Sequence, residues 1–302
     1  MHLLITFLLA GPFCLATYLL VKSQTDRQAR FKNPLTKSLR RPPGAELGRK
    51  LGNAQFEAGF DAFSVILPCL IPGIIYTVFQ GRGHVVFQST MVGLSAIVAC
   101  ALWFQGAKKF RKRFEEIRTL RLGYECELAV GQELDLLMLR GYRVFHDLQA
   151  ENFNIDHVVV GRSGIYAVET KGRSKLTPTG ENSTAEFRVT YQSGQLRFPG
   201  YTDKTTVPQA ARQAQWLSTW LSSATGLNLK AIPLVVLPGW YIELKDRPTV
   251  PVIASGYIDG FFSRRYEPLL DDEQLTRVIH QLDAKVRDLK PGEVVRPKPE
   301  PG

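Results

Sequence analysis

The sequence predicts an α/β domain, a mixed sheet flanked by helices, preceded by about three apolar helices. Three observations carry this reading. Long uncharged apolar runs are confined to the first 104 residues, β-branched runs alternate with amphipathic ones after residue 142, and about 170 residues remain for a core of useful size.

Residues 1–105 read as the membrane region. Leu3 to Val21 is the first apolar run, of about the length that spans a bilayer. It has no basic segment before it and no small-x-small site ahead of Lys22, so it reads as an anchor rather than a cleaved signal. Runs at 63–79 and about 85–104 are separated only by Gln80-Gly-Arg-Gly-His84 and predict a transmembrane hairpin, kinked at Pro68 and Pro72. Residues 22–57 read as a basic loop, with nine Lys or Arg between Lys22 and Lys50, and 106–122 as a juxtamembrane helix with seven. The hairpin tip holds only Arg82. The positive-inside rule then places the first loop and everything after Phe104 in the cytoplasm, in a multi-pass protein of a bacterial-type inner membrane. The lipid bilayer is one expected partner.

Charge narrows the function. The chain carries a net +10, yet residues 123–302 hold 21 basic and 22 acidic residues. The high pI therefore belongs to the membrane flanks and argues against avid, nonspecific DNA binding by the domain. Cysteines at 14, 69, 100 and 126 lack Cys-x-x-Cys spacing, which argues against a zinc site or disulfide framework.

Within the domain, residues 123–290, an amphipathic run through Leu128, Val130, Leu134, Leu137 and Met138 predicts a helix ending at Gly141, followed by a strand over 142–148. Ile155-Asp-His-Val-Val-Val160 and Ile165-Tyr-Ala-Val-Glu-Thr-Lys171, joined by Gly161-Arg-Ser-Gly164, predict a β-hairpin. Further elements are a hairpin over 186–198, a helix over 209–223, a buried strand over 232–237 and a helix over 271–289. A Pro- and Gly-rich tail over 291–302 predicts disorder.

Register can be counted from the 161–164 turn. Pairing Val160 with Ile165, or Gly161 with Gly164, puts Asp156 opposite Glu169, and strand alternation adds Lys171 to the same face. Two acids at that range repel, and a divalent cation would relieve them. Mg²⁺ binds through one or two carboxylates plus water and phosphate oxygens. A solvated face on which Lys171 neutralises Glu169 is the plainer reading of the same residues. His157 faces away by alternation, and His146 beside Asp147 reads as a histidine at a loop edge.

The joint pattern is Gly123-x-Glu125-x-Glu127, Gly141-Tyr-Arg-Val-Phe-His-Asp147, Asn154-Ile-Asp-His-Val-Val-Val-Gly161, Gly164-Ile-Tyr-Ala-Val-Glu-Thr-Lys171, Pro208-Gln-Ala210 and Ile232 to Pro238. It resembles the restriction-endonuclease-like fold of the PD-(D/E)xK nucleases and, more closely, the nuclease-related domain, NERD, over about half of the chain. The resemblance implies a Mg²⁺- or Mn²⁺-dependent nuclease acting on nucleic acid, DNA foremost. It implies Asp156 and Glu169 as metal ligands, Glu127 as the helix carboxylate completing the metal set, and Lys171 as catalytic. Gln209 or Gln213 would contact water or the nucleic-acid backbone; an ordinary polar helix face is the competing reading. Glu125 competes with Glu127, and Cys126 stands where the family usually has glycine. Two other functions stay open: a membrane-tethered nucleic-acid or protein binding module without turnover, and a structural scaffold. Arg162, Arg173, Lys175, Arg188 and Arg197 are candidates for a phosphate-binding patch.

Overall fold

A computed structural model describes residues 18, 19, 22, 23, 38–80, 85–175, 187–265 and 267–287. The expected span at 3–21, apart from positions 18 and 19, and the tail at 291–302 lie outside the described residues. The chain divides into one unit of Met1–Leu39 with Leu289–Val294 and another of Arg40–Asp288 with Val295–Gly302. All that follows concerns Arg40–Asp288.

Two helices open this unit, α1 (Ala45–Phe79) and α2 (Val85–Asp135). The segment expected as loop through residue 57 is thus helical from Ala45. The charges that suggested a loop pair along one helix face, with Arg49 Nη2 2.7 Å from Glu46 Oε1. The expected breaks near 105 and 122 are absent as well. One helix of 51 residues carries the apolar run, the basic run and the acidic Glu125–Glu127 turn. It tightens into a 3₁₀ turn over Leu136–Arg140 and stops at Gly141, whose φ of 84° suits glycine.

Both helices are long and apolar enough to cross a membrane. They display Phe63, Ile66, Leu70, Ile97, Val98 and Trp103 on an exposed surface. Pro68 and Pro72 do not end α1. Pro68 has no N–H to give the Ser64 carbonyl, and α2 comes in closely there: a Cβ on Gly106 would lie 2.6 Å from that oxygen. One turn on, the buried Asp61 takes Lys109 at 2.7 Å and Arg113 at 3.3 Å, which clamps the base of the hairpin.

The α/β domain follows. Strands β1 (Arg143–Gln149), β2 (Asn154–Gly161), β3 (Gly164–Thr170), β7 (Ala231–Leu237) and β9 (Val252–Ala254) form a sheet in the order β1-β2-β3-β7-β9. The first two pairings are antiparallel and the last two parallel. β2 and β3 are buried along almost their full length, as near-continuous apolar runs in a sheet covered on both faces must be. Helices α3 (Thr206–Thr225) and α5 (Asp272–Val286) cover one face through Leu217, Leu221, Val278 and Leu282. The end of α2 and the short α4 (Ile258–Ser263) cover the other through Val130, Leu134, Ile258 and Phe262.

A smaller mixed sheet, β4 (Arg188–Gln192), β5 (Gln195–Phe198), β6 (Tyr201–Asp203) and β8 (Tyr241–Leu244), runs β6-β5-β4-β8. It packs Leu196, Phe198 and Trp240 against the start of α3 and the end of β7.

The start of α1 is built into the domain. Its N-cap, Gly44, has no side chain to satisfy the first helical N–H groups. Asp147 of β1 does so from a distance of 101 residues: its Oδ2 accepts the Glu46 N–H at 3.1 Å and the Arg41 guanidinium at 2.8 Å. Pro43 fits against Gly131, where a Cβ would lie 2.7 Å from the ring.

Candidate active site

The β2–β3 ladder has the counted register, with Val160 opposite Ile165 and Gly161 opposite Gly164. It ends at His157 opposite Val168, and the next residues in the count are Asp156 and Glu169. Here the strands give up their rungs to a side chain: Asp156 Oδ2 accepts the Thr170 N–H at 2.7 Å. Both carboxylates lie on the α3 side of the sheet, at the end remote from the 161–164 turn, and both are buried.

Helix α3 presents Gln209 and Gln213 one turn apart to this face. Gln209 Nε2 donates to Glu169 Oε1 at 2.9 Å, and Gln213 Nε2 donates to Glu169 Oε2 at 2.7 Å and to the Asn154 carbonyl at 3.2 Å. Gln213 is 2% exposed, so it is no solvated helix face. Two amides therefore fix the Glu169 carboxylate, while each of its oxygens keeps a second lone pair.

Glu127 comes from α2, the helix across the sheet. Glu125 is exposed and Glu127 buried, which decides which of the two faces the cluster. Cys126 fits because residue 172 is glycine; a Cβ there would lie 2.7 Å from Cys126 Sγ. The departure at position 126 is thus matched just beyond Lys171.

Electrostatics tie the three acids together. Burial, then Asp147 and Glu169, push Glu127 up to about 8 against the opposing charges of Lys50 and Lys171. Asp156 is raised well above the usual carboxylate range by burial, then by Glu169 and Glu127, with the Thr170 N–H opposing. Glu169 is raised by burial, while Gln213, Lys171 and Gln209 oppose the rise. Glu127 Oε2, Thr170 Oγ1 and Gln213 Oε1 are buried oxygens without a hydrogen-bond partner among the described residues.

Among the described residues no three His, Cys, Asp or Glu side chains form a ready metal cage. Carboxylates that repel one another, with unpartnered oxygens around them, instead fit a hard cation that takes one or two protein carboxylates and leaves its other positions to water and phosphate.

Other candidates are placed elsewhere. His157 is buried on the opposite face, its Nδ1 2.9 Å from His146 Nδ1, and His146 Nε2 lies 3.1 Å from Asp135. Burial holds both rings below the ordinary histidine pKa, and a carboxylate accepts, so the bond to Asp135 is donated by His146 Nε2–H. Asp147 is committed to Arg41 and the start of α1. The expected phosphate patch is dispersed, with Arg162 at the far turn beside Asp272 and Arg188 paired with Glu243. Arg173 holds Asp203, whose charge acts on Glu169, whereas Lys175 lies over Phe187 and Trp240. Asp203, missed from the sequence, is buried, bonds Thr205 and Thr206 at the start of α3, and holds Arg173 at 3.1 Å. Its only sequence signal is an Asp three residues ahead of a helical run.

The fold and cluster define an α/β domain in which two buried strand acids and one helix acid converge beside a lysine. Residues 122–238 match the family model of NERD, the nuclease-related domain. Glu127, Asp156, Glu169, Lys171, Gln209 and Gln213 fall within that span. No curated protein and no solved structure matches the chain.

Proposed function

We propose that the protein is a membrane-anchored, divalent-metal-dependent nuclease of the PD-(D/E)xK type, with a restriction-endonuclease-like fold, hydrolysing phosphodiester bonds of nucleic acid, DNA foremost. The observation that carries this is the convergence of Asp156, Glu169 and Glu127, mutually repelling and buried, beside Lys171 within the nuclease-related segment. Asp156, Glu169 and Glu127 would hold Mg²⁺ or Mn²⁺, which supplies Lewis-acid polarisation of a phosphoryl oxygen and a more acidic water. Lys171 would orient or deprotonate the attacking water, or stabilise the charge growing on the phosphate. Gln209 and Gln213 lock the Glu169 carboxylate so that its free lone pairs keep one direction.

The apolar halves of α1 and α2 would lie in a cell membrane of bacterial type. Basic residues 108–121 would then follow on the cytoplasmic side with the domain. Exposed apolar side chains on both helices support this, as does the single basic residue in the tip between them.

The two amide donors already held by Glu169 favour a second reading, a membrane-tethered binding module of nuclease fold without turnover. The test is cleavage of labelled single- and double-stranded DNA and RNA by the full chain in detergent micelles, with Mg²⁺, Mn²⁺ or EDTA, comparing wild type with Lys171→Ala. Metal-dependent cutting lost in the variant is expected. A folded protein that binds these strands yet cuts none of them would leave the binding module.

A further inference from the structure

A cavity of about 340 Å³ opens beside the acidic cluster, lined by Arg173, Ser174, Phe198, Pro199, Tyr201 and Trp240. Arg173 lies two residues beyond Lys171, so their Cα atoms are at most about 7 Å apart. Asp203, which holds Arg173, is also one of the charges acting on Glu169. The cavity and the cluster are therefore neighbours.

Its walls are aromatic and cationic at once. Phe198 meets Trp240 edge to face, with centroids 5.1 Å apart, and Tyr201 lies 6.3 Å from Phe198. Trp240 is buried, whereas Tyr201 is 50% exposed. The Arg173 guanidinium sits 5.2 Å from the Tyr201 ring, and Lys175 Nζ lies 4.5 Å from Phe187 and 5.7 Å from Trp240. Aromatic faces interleaved with cations suit a base with its phosphate, because every base has a π-face to stack and every linkage a negative charge. The volume is near the lower end of ligand pockets, enough for one base and part of its sugar. A base pair locked in a duplex stack has no way in.

We infer that this cavity is a stacking subsite for one unpaired nucleotide flanking the phosphate held at the acidic cluster, so that the substrate is single-stranded nucleic acid or a single-stranded end. The assignment deepens the nuclease reading and rests on it for the role of the neighbouring cluster.

The test is fluorescence anisotropy of the full chain in detergent micelles with EDTA, which measures binding without turnover. The probes are a labelled oligothymidylate, a blunt hairpin duplex, and an abasic strand that keeps the phosphates and lacks the bases. Tyr201 is the residue to change, because Trp240 is core and its loss risks the fold. Wild type is expected to prefer oligothymidylate over both the duplex and the abasic strand, and Tyr201→Ala to weaken oligothymidylate binding about tenfold, the effect of one stacked base. Lys175→Ala should weaken the oligothymidylate and the abasic strand alike. Equal affinity for oligothymidylate and abasic strand, or an unchanged affinity in Tyr201→Ala, would overturn the subsite even if the protein cuts nucleic acid. Base-dependent binding without cleavage under Mg²⁺ or Mn²⁺ would keep the subsite and sink the nuclease reading.

Discussion

Glu127→Gln offers a direct measure of how strongly the acidic cluster is compressed. In the folded, metal-free protein Glu127 keeps its proton up to about pH 8, whereas in the unfolded chain it loses it near 4.5. The proton therefore favours the folded state. Its contribution is fully present below pH 4.5 and is lost progressively as pH rises to about 8. Each pH unit in that window removes on the order of 1 kcal/mol, so between pH 5 and 7 the loss from this group is about 3 kcal/mol. For a domain of this size that equals a fall in Tm of about 5–10 °C. The substituted amide has no proton to lose. The assay is tryptophan-fluorescence melting of full-length wild type and variant in detergent micelles with EDTA, at steps from pH 5 to pH 7. Asp156 and Glu169 are also raised and slope in the same sense in both proteins, so the quantity to read is the difference between the two slopes. Wild type should lose stability faster with rising pH. Parallel slopes would mean that Glu127 ionises normally and is not part of a buried acid cluster.

Four further outcomes are expected. Arg41→Ala, which strips a guanidinium from the fully buried Asp147, should cost about 3 kcal/mol and lower the Tm by about 10 °C, read by the same melts. Gln213→Leu leaves Glu169 Oε2 and the Asn154 carbonyl short of a donor; a loss of about 1–3 kcal/mol in urea unfolding is expected, with weaker loss on Gln209→Leu at the more open position. Gly106→Leu places a side chain against the Ser64 carbonyl and should loosen the α1–α2 hairpin, seen as faster proteolysis of full-length protein in micelles. Lys171→Ala should melt within about 1 kcal/mol of wild type, since its side chain is only partly buried and holds no structural bond among the described residues, while metal-dependent cleavage falls by about two orders of magnitude or more.

What the sequence revealed and what it hid follow the range of the interactions. The Asp156–Glu169 juxtaposition was legible because a short hairpin turn fixes register locally, and an error of one residue would have turned either acid to the wrong face. The opening of α5 near Asp271 was legible for the same reason, because the contacts that start it are local: Asp271 and Gln274 bond each other's backbone within one turn. Burial of Gln213 was half legible, since helical spacing puts it beside Gln209 but does not say which strand acid lies opposite. The Arg41–Asp147 staple joins residues 106 apart, and nothing near either residue signals it. The start of α1 was hidden because Glu46, Arg49 and Lys50 look like loop charges until a helix pairs them. Strands β8 and β9 have 4 and 3 residues and take shape only through parallel pairing with distant partners. Arg162 joined a phosphate patch on composition alone, whereas the hairpin carries it to the far end of the sheet.

The staple also changes what can count as the domain. A fragment beginning near Arg121, where the apolar and basic runs have ended, would look complete by composition. It would omit Arg41 and the first turn of α1, leave Asp147 buried without its cation, and uncover the side of Gly131 that Pro43 occupies. It would also cut α2 six residues before Glu127. Along an α-helix that distance is a rise of about 9 Å, fewer than two turns, so the fragment would hold this carboxylate on a fraying end. Loss of cleavage in such a fragment would therefore say nothing about the chemistry of the acids. In the full chain the same helix runs unbroken from its apolar segment to the cluster, and Phe104 and Glu127 are separated by about 35 Å of helix. In the proposed membrane-bound form that length sets how far from the bilayer a strand is met, and the rigid connection, rather than a flexible linker, holds the acidic cluster at that height.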